Sequence, residues 1–288
     1  MAMHLNQKTI KKEAVYKGIG LHTGNTTVMR FIPAPPDSGV CFVRTDLPGR
    51  PKVPAMIDYV IGVIRGTSLG SGDAQVHTVE HVCSALFALG IDNLTIELNA
   101  NEPPVADGSS KPFLDTLLNA GIEVQDRPKR FFIPSEPIVY RANETEIRLD
   151  PGAGLSIQCQ LVFDHPMIGN QEASCSIDAE TYGREIASAR TFCFDYEVEA
   201  LKRKGLARGG SLDNAVVVGM DRIYNKEKNL RYPNEFARHK LLDFIGDLFL
   251  LGKTVQGKIT AVKIGHGHNI NFVKELAKAD AFKEVAHG

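Results

Sequence analysis

The sequence predicts an α+β protein built from two duplicated β-α-α-β sandwich domains, each with an insert, and an active site at their interface. Two observations lead there. Short runs rich in β-branched and aromatic residues, separated by Pro/Gly-rich turns, occupy both halves of the 288-residue chain. One order of elements also occurs twice: strands, a helix with a polar stripe, a glycine turn, a strand and a second helix. Helices gathered on one face of a mostly antiparallel sheet give an α+β sandwich. Ligand clefts commonly lie where two such units meet.

In the first half the spacing predicts strands over Thr26 to Phe31, Val40 to Arg44 and Asn93 to Leu98, with Pro33 to Gly39 as a turn. A helix from His77 to Leu89 stops at Gly90, and another from Pro112 to Ala120 ends at Gly121. The second half repeats this with strands near Phe131 and Ile138, over Glu146 to Leu149 and over Ser156 to Phe163. A helix from His239 to Leu251, a strand from Ile259 to Ile264 and a helix from Phe272 to Lys278 follow. The domains are therefore expected at 1–126 and 127–288, joined near Gln125 to Lys129. Two segments fall outside the repeat, about 57–73 and about 186–218. Being apolar and adjacent to the polar helices, they read either as the walls of a lipid or acyl channel or as the packing of a plain β-α-β unit.

Hydrophobic residues make up 43% of the chain and charged residues 23%, a globular balance with no disordered bias. A net charge of −1 removes the electrostatic case for nucleic acid or an anionic membrane surface, so a small-molecule partner is expected. The N-terminal Met1 to Thr9 has no apolar core, and no run approaches the roughly 20 apolar residues that span a bilayer. The expected location is cytoplasmic. The five cysteines are odd in number and scattered, without a C-x-x-C pair, which fits reduced thiols.

The chemistry concentrates in two stretches. His77-Thr-Val-Glu80-His81 opens an apolar-periodic run, and on a helix it puts Val79, Val82, Cys83 and Leu86 on one face and both histidines on the other. Two imidazoles one turn apart can hold a divalent metal, and a neighbouring carboxylate can take a proton from its water. Read literally, this is the H-x-x-E-H of inverted zinc peptidases. In the second stretch His239, Asp243 and Asp247 recur every four residues, so they form one stripe down a helix. Adjacent turns are about 5.4 Å apart, which lets His239 and Asp243 close on a single ion. Together the stretches point to a mononuclear metal hydrolase.

A longer series of motifs resembles, over nearly the full chain, the zinc-dependent UDP-3-O-acyl-N-acetylglucosamine deacetylase family of lipid A biosynthesis. The first half carries Gly18-Ile-Gly-Leu-His-Thr-Gly24, Thr78-Val-Glu-His81, Gly90-Ile-Asp-Asn-Leu-Thr-Ile-Glu97 and Asp107-Gly-Ser-Ser. The second carries Phe163-Asp-His-Pro166, Ala189-Arg-Thr-Phe192, Gly209-Gly-Ser-Leu212, the run from Arg238 to Asp247, and Lys263-Ile-Gly-His266. Each motif is short; their order and spacing make the resemblance specific.

The resemblance implies the duplicated sandwich fold, a Zn2+ cofactor and a UDP-linked acylated amino sugar as substrate; a monomer is expected, separately from the resemblance. It implies zinc ligands at His81, His239 and Asp243, and it assigns His77 no ligand role. It further implies Glu80 as the base for the attacking water, Thr191 as a donor to the developing oxyanion, His266 as the acid for the leaving amine, and Asp247 as the carboxylate keeping that imidazole charged. Lys240 and Lys263 match positions near the sugar diphosphate, and Phe163, His165 and His22 positions around the nucleotide. Phe192, Phe194 and Gly210 match the walls of an acyl passage.

One departure stands out. The family usually reads Gly-His-x-Leu-Asn where this chain has Gly265-His266-Gly267-His268-Asn269. Register places His266 on the acid position, and on an extended loop His268 would point the other way. Three alternatives remain at the sequence level: a zinc peptidase using His77 and His81, a non-catalytic metal-binding or regulatory protein, and an Fe2+ oxygenase, since two histidines and a carboxylate also suit iron, although no feature of the sequence supports cosubstrate binding.

Overall fold

The computed structural model describes residues 6–279 and 282–284. Two five-stranded sheets dominate. In the first, the spatial order is Ala14–Ile19, Thr26–Pro33, Leu94–Leu98, Val40–Arg44 and Lys52–Pro54. In the second it is Ile138–Ala142, Thr145–Asp150, Gly257–Val262, Leu155–Val162 and Asn170–Ser176. Both run first, second, fifth, third, fourth in chain order, and in both only the fifth and third strands pair parallel. The chain thus makes an α+β fold with one sheet topology used twice.

Alternation along these strands follows from the two-residue period of the pleat. Met29, Phe31, Phe42, Ile96 and Leu98 are buried on one sheet, and Ile147, Leu149, Ile157, Cys159, Leu161 and Ile259 on the other. The described residues form six α-helices: α1 Glu80–Leu89, α2 Lys111–Ala120, α3 Ala179–Glu185, α4 Asp195–Arg203, α5 Glu235–Phe249 and α6 His266–Lys278. Nearly every side chain of α1 and most of α5 are buried, polar ones included, because the two helices pack on each other in the middle of the molecule. α1 ends where Gly90 takes the left-handed conformation (φ 65°) and its N–H reaches the Leu86 and Phe87 carbonyls.

The helix pair crosses at Gly246. A Cβ there would lie 2.1 Å from the Glu80 carbonyl oxygen and 2.7 Å from its carbon, so only glycine allows the approach. Gly246→Ala should therefore lower stability by about 1–3 kcal/mol, as overpacking does, and depress turnover by displacing Glu80. Urea unfolding together with kcat measures both; a variant as stable and active as the parent would show that the crossing tolerates a methyl.

Among the described residues, three three-stranded sheets and one two-stranded pair sit around this core. Val60–Gly62, Ser68–Ser71 and Ala74–Val76 form an antiparallel sheet within the first segment that lacked a counterpart. In the second such segment Phe192–Phe194 pairs parallel with Val216–Val218 across α4, and Ile223–Tyr224 adds an antiparallel edge. The strands Arg130–Phe132, Thr254–Val255 and Phe282–Glu284 make the third. Residues 125–129, read from sequence as a connection, mostly belong to the strand Ile122–Pro128, which pairs with Asn6–Ile10.

Three helix starts differ from the sequence reading; α5 begins at Glu235 rather than His239, and the other two bear on the site. α1 starts at Glu80, three residues after His77, because Thr78 sits at φ 55° with its hydroxyl donating to Glu102 Oε1 at 2.9 Å. His77 is thereby taken off the helix and does not share a face with His81; its Nδ1 lies 3.0 Å from the Ser68 hydroxyl. Conversely, the segment expected as an extended loop around His266 is the first turn of α6, with Gly265 as N-cap and the Asn269 N–H on the Gly265 carbonyl at 2.9 Å.

Candidate metal centre and active site

Where α1 crosses α5, a cleft of about 210 Å³ opens between the helices and the two inserted segments. Glu80, His81, His239, Asp243 and His266 face it, and Leu21, Arg65, Thr78, Thr191, Phe192 and Lys240 complete its lining. Ligand atoms of His81, His239 and Asp243 all lie within 4.8 Å of one another, and all three residues are buried.

The geometry explains why. His239 and Asp243, one turn apart on α5, bring Nε2 to 3.3 Å from Asp243 Oδ1, and His81 on α1 brings its Nε2 to 3.6 Å from the same oxygen. The two imidazoles meet edge to face, with ring centroids 5.1 Å apart. His239 Nδ1–H donates to the Ala189 carbonyl at 3.1 Å, which fixes the tautomer and leaves Nε2 as the free lone pair. Burial brings the His239 pKa down to about 3, so the ring is neutral.

Asp243 is the informative member. Its Oδ2 accepts from Lys240 Nζ at 2.9 Å, but its buried Oδ1 has no hydrogen-bond partner. Burial would raise its pKa; His239 and Lys240 outweigh that and hold it well below the usual carboxylate range. A buried carboxylate oxygen without a donor is costly. A divalent cation held by His81, His239 and Asp243 would remove that cost, so these residues fit a metal.

Beside the cluster stand a carboxylate and an imidazole. Glu80 is buried, its Oε2 accepting the Thr67 N–H at 2.9 Å, and burial raises its pKa against the opposing pull of His266 and His81. His266 Nδ1–H donates to Asp247 Oδ2 at 2.9 Å. Burial would lower the His266 pKa, yet the contact with Asp247 prevails and carries it up to about 9. Asp247 also accepts from Asn269 Nδ2 at 2.8 Å and from the Thr67 hydroxyl at 2.6 Å.

The remaining expected residues divide. Thr191 is placed by the Arg190–Glu235 pair, buried at 2.8 Å, and by its own N–H on the Gly108 carbonyl at 2.8 Å. Phe192 lies beneath Lys240 Nζ, 5.5 Å from its ring centre. Phe163 packs with Phe192 and Phe194 at 6.4 and 5.7 Å, and His165 with Phe194 at 4.9 Å. Residues expected in separate nucleotide and acyl regions thus share one aromatic cluster. His22 Nε2 is 3.2 Å from the Arg65 carbonyl, at the rim.

Gly210 lies apart from that cluster, exposed, with Leu21 as neighbour. Lys263 is not on the cleft lining; its ammonium pairs with Glu144 at 2.9 Å. His268, half-buried, contacts the Tyr140 hydroxyl at 3.1 Å.

Sequence reasoning did not single out Thr67, Asn269, Arg65 or Glu102. Glu102 is fully buried and accepts from the His22 and Thr23 backbone N–H groups and from the Thr23 and Thr78 hydroxyls, shaping the Gly18 to Gly24 loop. Arg65 forms an ion pair with Glu197 of α4, joining the two inserted segments across the cleft. The Asn-Glu-Pro-Pro run held the one available signal, a Glu among turn residues.

Comparison with known proteins agrees with this architecture. The family model described as LpxC, UDP-3-O-acyl N-acetylglycosamine deacetylase, matches residues 7–278. A UDP-3-O-acyl-N-acetylglucosamine deacetylase of Anaeromyxobacter sp. (strain Fw109-5) is 44% identical over 271 residues, covering 94% of this chain and 88% of the relative. One from Bdellovibrio bacteriovorus is 44% identical over 270 residues, covering 94% and 89%. A bifunctional enzyme LpxC/FabZ of Chlorobaculum tepidum is 41% identical over 304 residues, and there the chain spans 65% of the relative. With the family model matching residues 7–278 and a buried His-His-Asp cluster where the two central helices cross, this chain belongs to the UDP-3-O-acyl N-acetylglycosamine deacetylases.

Proposed function

We propose that the protein is a zinc-dependent amidohydrolase that removes the N-acetyl group of a UDP-linked 3-O-acyl-N-acetylglucosamine and releases acetate, a step of lipid A biosynthesis. The observation that carries this reading is the unpartnered Asp243 Oδ1 between two histidine Nε2 atoms, with Glu80 and His266 beside it. The relatives' printed names supply the substrate class. His81, His239 and Asp243 would hold the metal; two nitrogens and one oxygen suit a catalytic zinc site with an open position, and Fe2+ is accommodated by the same set.

A divalent cation held there would supply a Lewis acid, able to acidify water and polarise an amide carbonyl. The chain's own residues do the rest. Glu80 accepts a proton from the attacking water as its oxygen bonds to the acetyl carbon. The Thr191 hydroxyl donates to the carbonyl oxygen as charge builds on it. His266, held protonated by Asp247, gives its proton to the sugar nitrogen as the C–N bond breaks. The products are acetate and the free amine.

Lys240 lines the cleft, His22 touches Arg65 of that lining, and Phe163 and His165 pack against Phe192 and Phe194; these four are proposed to hold the UDP-sugar, whereas the pairing of Lys263 with Glu144 puts it in a weaker position to do so. The aromatic cluster of Phe163, Phe192 and Phe194, extended by Phe236 at 4.8 Å and by the exposed Tyr196 stacked on Phe194, supports an acyl contact. The protein is proposed to act as a monomer. The five cysteines are free thiols, which supports the reducing cytoplasm. Among the described residues no helix is long and apolar enough to cross a membrane. The shared strand order of the two large sheets supports two duplicated units, 1–126 and 127–288.

The test is acetate release from the UDP-linked 3-O-acyl-N-acetylglucosamine, before and after chelation and with zinc or Fe2+ restored. Burying about ten methylenes at about 0.8 kcal/mol each leaves several kcal/mol available, so removing the O-acyl chain should cut kcat/KM by about 100-fold or more. Equal kcat/KM with and without that chain rejects the acyl contact. Acetate release that survives complete chelation rejects the metal mechanism.

A further inference from the structure

We propose that Thr67, in the first inserted segment, is a positioning residue that holds the base and the acid of the reaction in one frame. The proposal rests on the assignment of Glu80 as base and His266 as acid made above.

Thr67 is fully buried and makes three directed contacts with the two central helices. Its carbonyl accepts the Val79 N–H at 3.2 Å and its own N–H donates to Glu80 Oε2 at 2.9 Å, so its backbone is pinned to the start of α1 on both sides. Its hydroxyl donates to Asp247 Oδ1 on α5 at 2.6 Å. The same hydroxyl oxygen is 3.4 Å from His266 Nδ1. One residue therefore contacts the base directly and the acid through its carboxylate.

The chemistry of Asp247 makes the hydroxyl consequential. The carboxylate is fully buried, with Oδ2 occupied by His266 and Asn269, and Thr67 is the donor recorded on Oδ1. Without that donor Oδ1 is a buried anionic oxygen with an unmet requirement, and the carboxylate gains by turning toward other donors. Turning Asp247 moves the imidazole bonded to it. Glu80 stays anchored, because the Thr67 backbone N–H is unaffected by the side chain. Loss of the hydroxyl should thus misplace the acid relative to the base while leaving the metal ligands and the aromatic cluster in place.

The experiment uses the metal-loaded enzyme with Thr67→Val, which keeps shape and backbone N–H but lacks the hydroxyl, and Thr67→Ser, which keeps both donors. Glu80→Gln and His266→Gln are measured alongside. Thr67→Val should lower kcat by about 10–100-fold with KM within about threefold of the parent, the scale of a small misplacement of a reacting group. Metal content should stay at the parental ratio, the Nδ1 proton resonance of His266 should shift, and Thr67→Ser should restore both kcat and resonance. If Thr67→Val keeps parental kcat while Glu80→Gln and His266→Gln are inactive, the positioning role is overturned. It is equally overturned if Thr67→Val and Thr67→Ser lose kcat alike, or if the loss tracks a fall in melting temperature with the resonance unmoved. Retained turnover in Glu80→Gln and His266→Gln is a different result: it removes the acid–base assignment itself.

Discussion

Alanine at His81, His239 or Asp243 is expected to strip the protein of its metal and of turnover, whereas alanine at His77 should leave both near the parental level. The three ligand atoms converge from α1 and α5, and Asp243 Oδ1 has no other partner among the described residues. Removing either imidazole deletes a neutral nitrogen donor; removing Asp243 deletes the charge that offsets the cation. Loss of a group one bond further out already costs about 10–100-fold in metal affinity or activity, and loss of a ligand costs more. His77 sits outside α1, against Ser68, so its loss changes a local contact only. Metal content after dialysis, read with acetate release, decides the matter. Metal loss in His77→Ala equal to that in His81→Ala would falsify the ligand assignment and revive a site built on both histidines.

The second large effect is expected at Glu80 and His266, with metal retained. Removing a general acid or base costs about 100-fold to 10,000-fold in rate, so Glu80→Gln and His266→Gln should each fall within that range. The pH dependence identifies which residue does which. As the proposed base Glu80 would work deprotonated, and burial puts its pKa above the ordinary carboxylate value, so activity should rise as pH climbs through that raised value. As the proposed acid His266 would work protonated, and its contact with Asp247 holds its pKa at about 9, so activity should fall as pH passes that region. A bound dication draws both limbs downward without changing their order. The parent should give a bell-shaped kcat/KM profile whose limbs are constants of the coupled pair. Glu80→Gln should lose the acid limb and His266→Gln the alkaline one. Turnover abolished by His268→Ala and spared by His266→Gln would move the acid to the other histidine.

The sequence alone carried the family, the α+β class and the local periodicities. Motif order over nearly the full chain was enough for the family, and the match over residues 7–278 agrees. His239, Asp243 and Asp247 could be placed on one line because a helix repeats its direction every 3.6 residues, a property of the local chain. The end of α1 was legible for the same reason, since a glycine takes the left-handed cap at little cost.

Tertiary structure decided where long-range contacts overrode local pattern. The periodicity of residues 77–89 continues unbroken into α1, but the Thr78 hydroxyl prefers Glu102, 24 positions away, and His77 leaves the helix. The His266 segment, with two glycines, reads as loop, yet it starts α6 because Asn269 donates to Asp247 and Ile270, Phe272 and Val273 are buried beneath it. Phe163 joins Phe192 and Phe194, and Lys263 turns to Glu144, through contacts that no spacing encodes. Thr67 is the extreme case: an ordinary threonine in a glycine-rich run, joined to Asp247 across 180 positions. Spacing along a chain reports which side chains share an element. Which elements face one another is set by burial of their apolar faces, and only that packing brings a hydroxyl from one segment to a carboxylate on another.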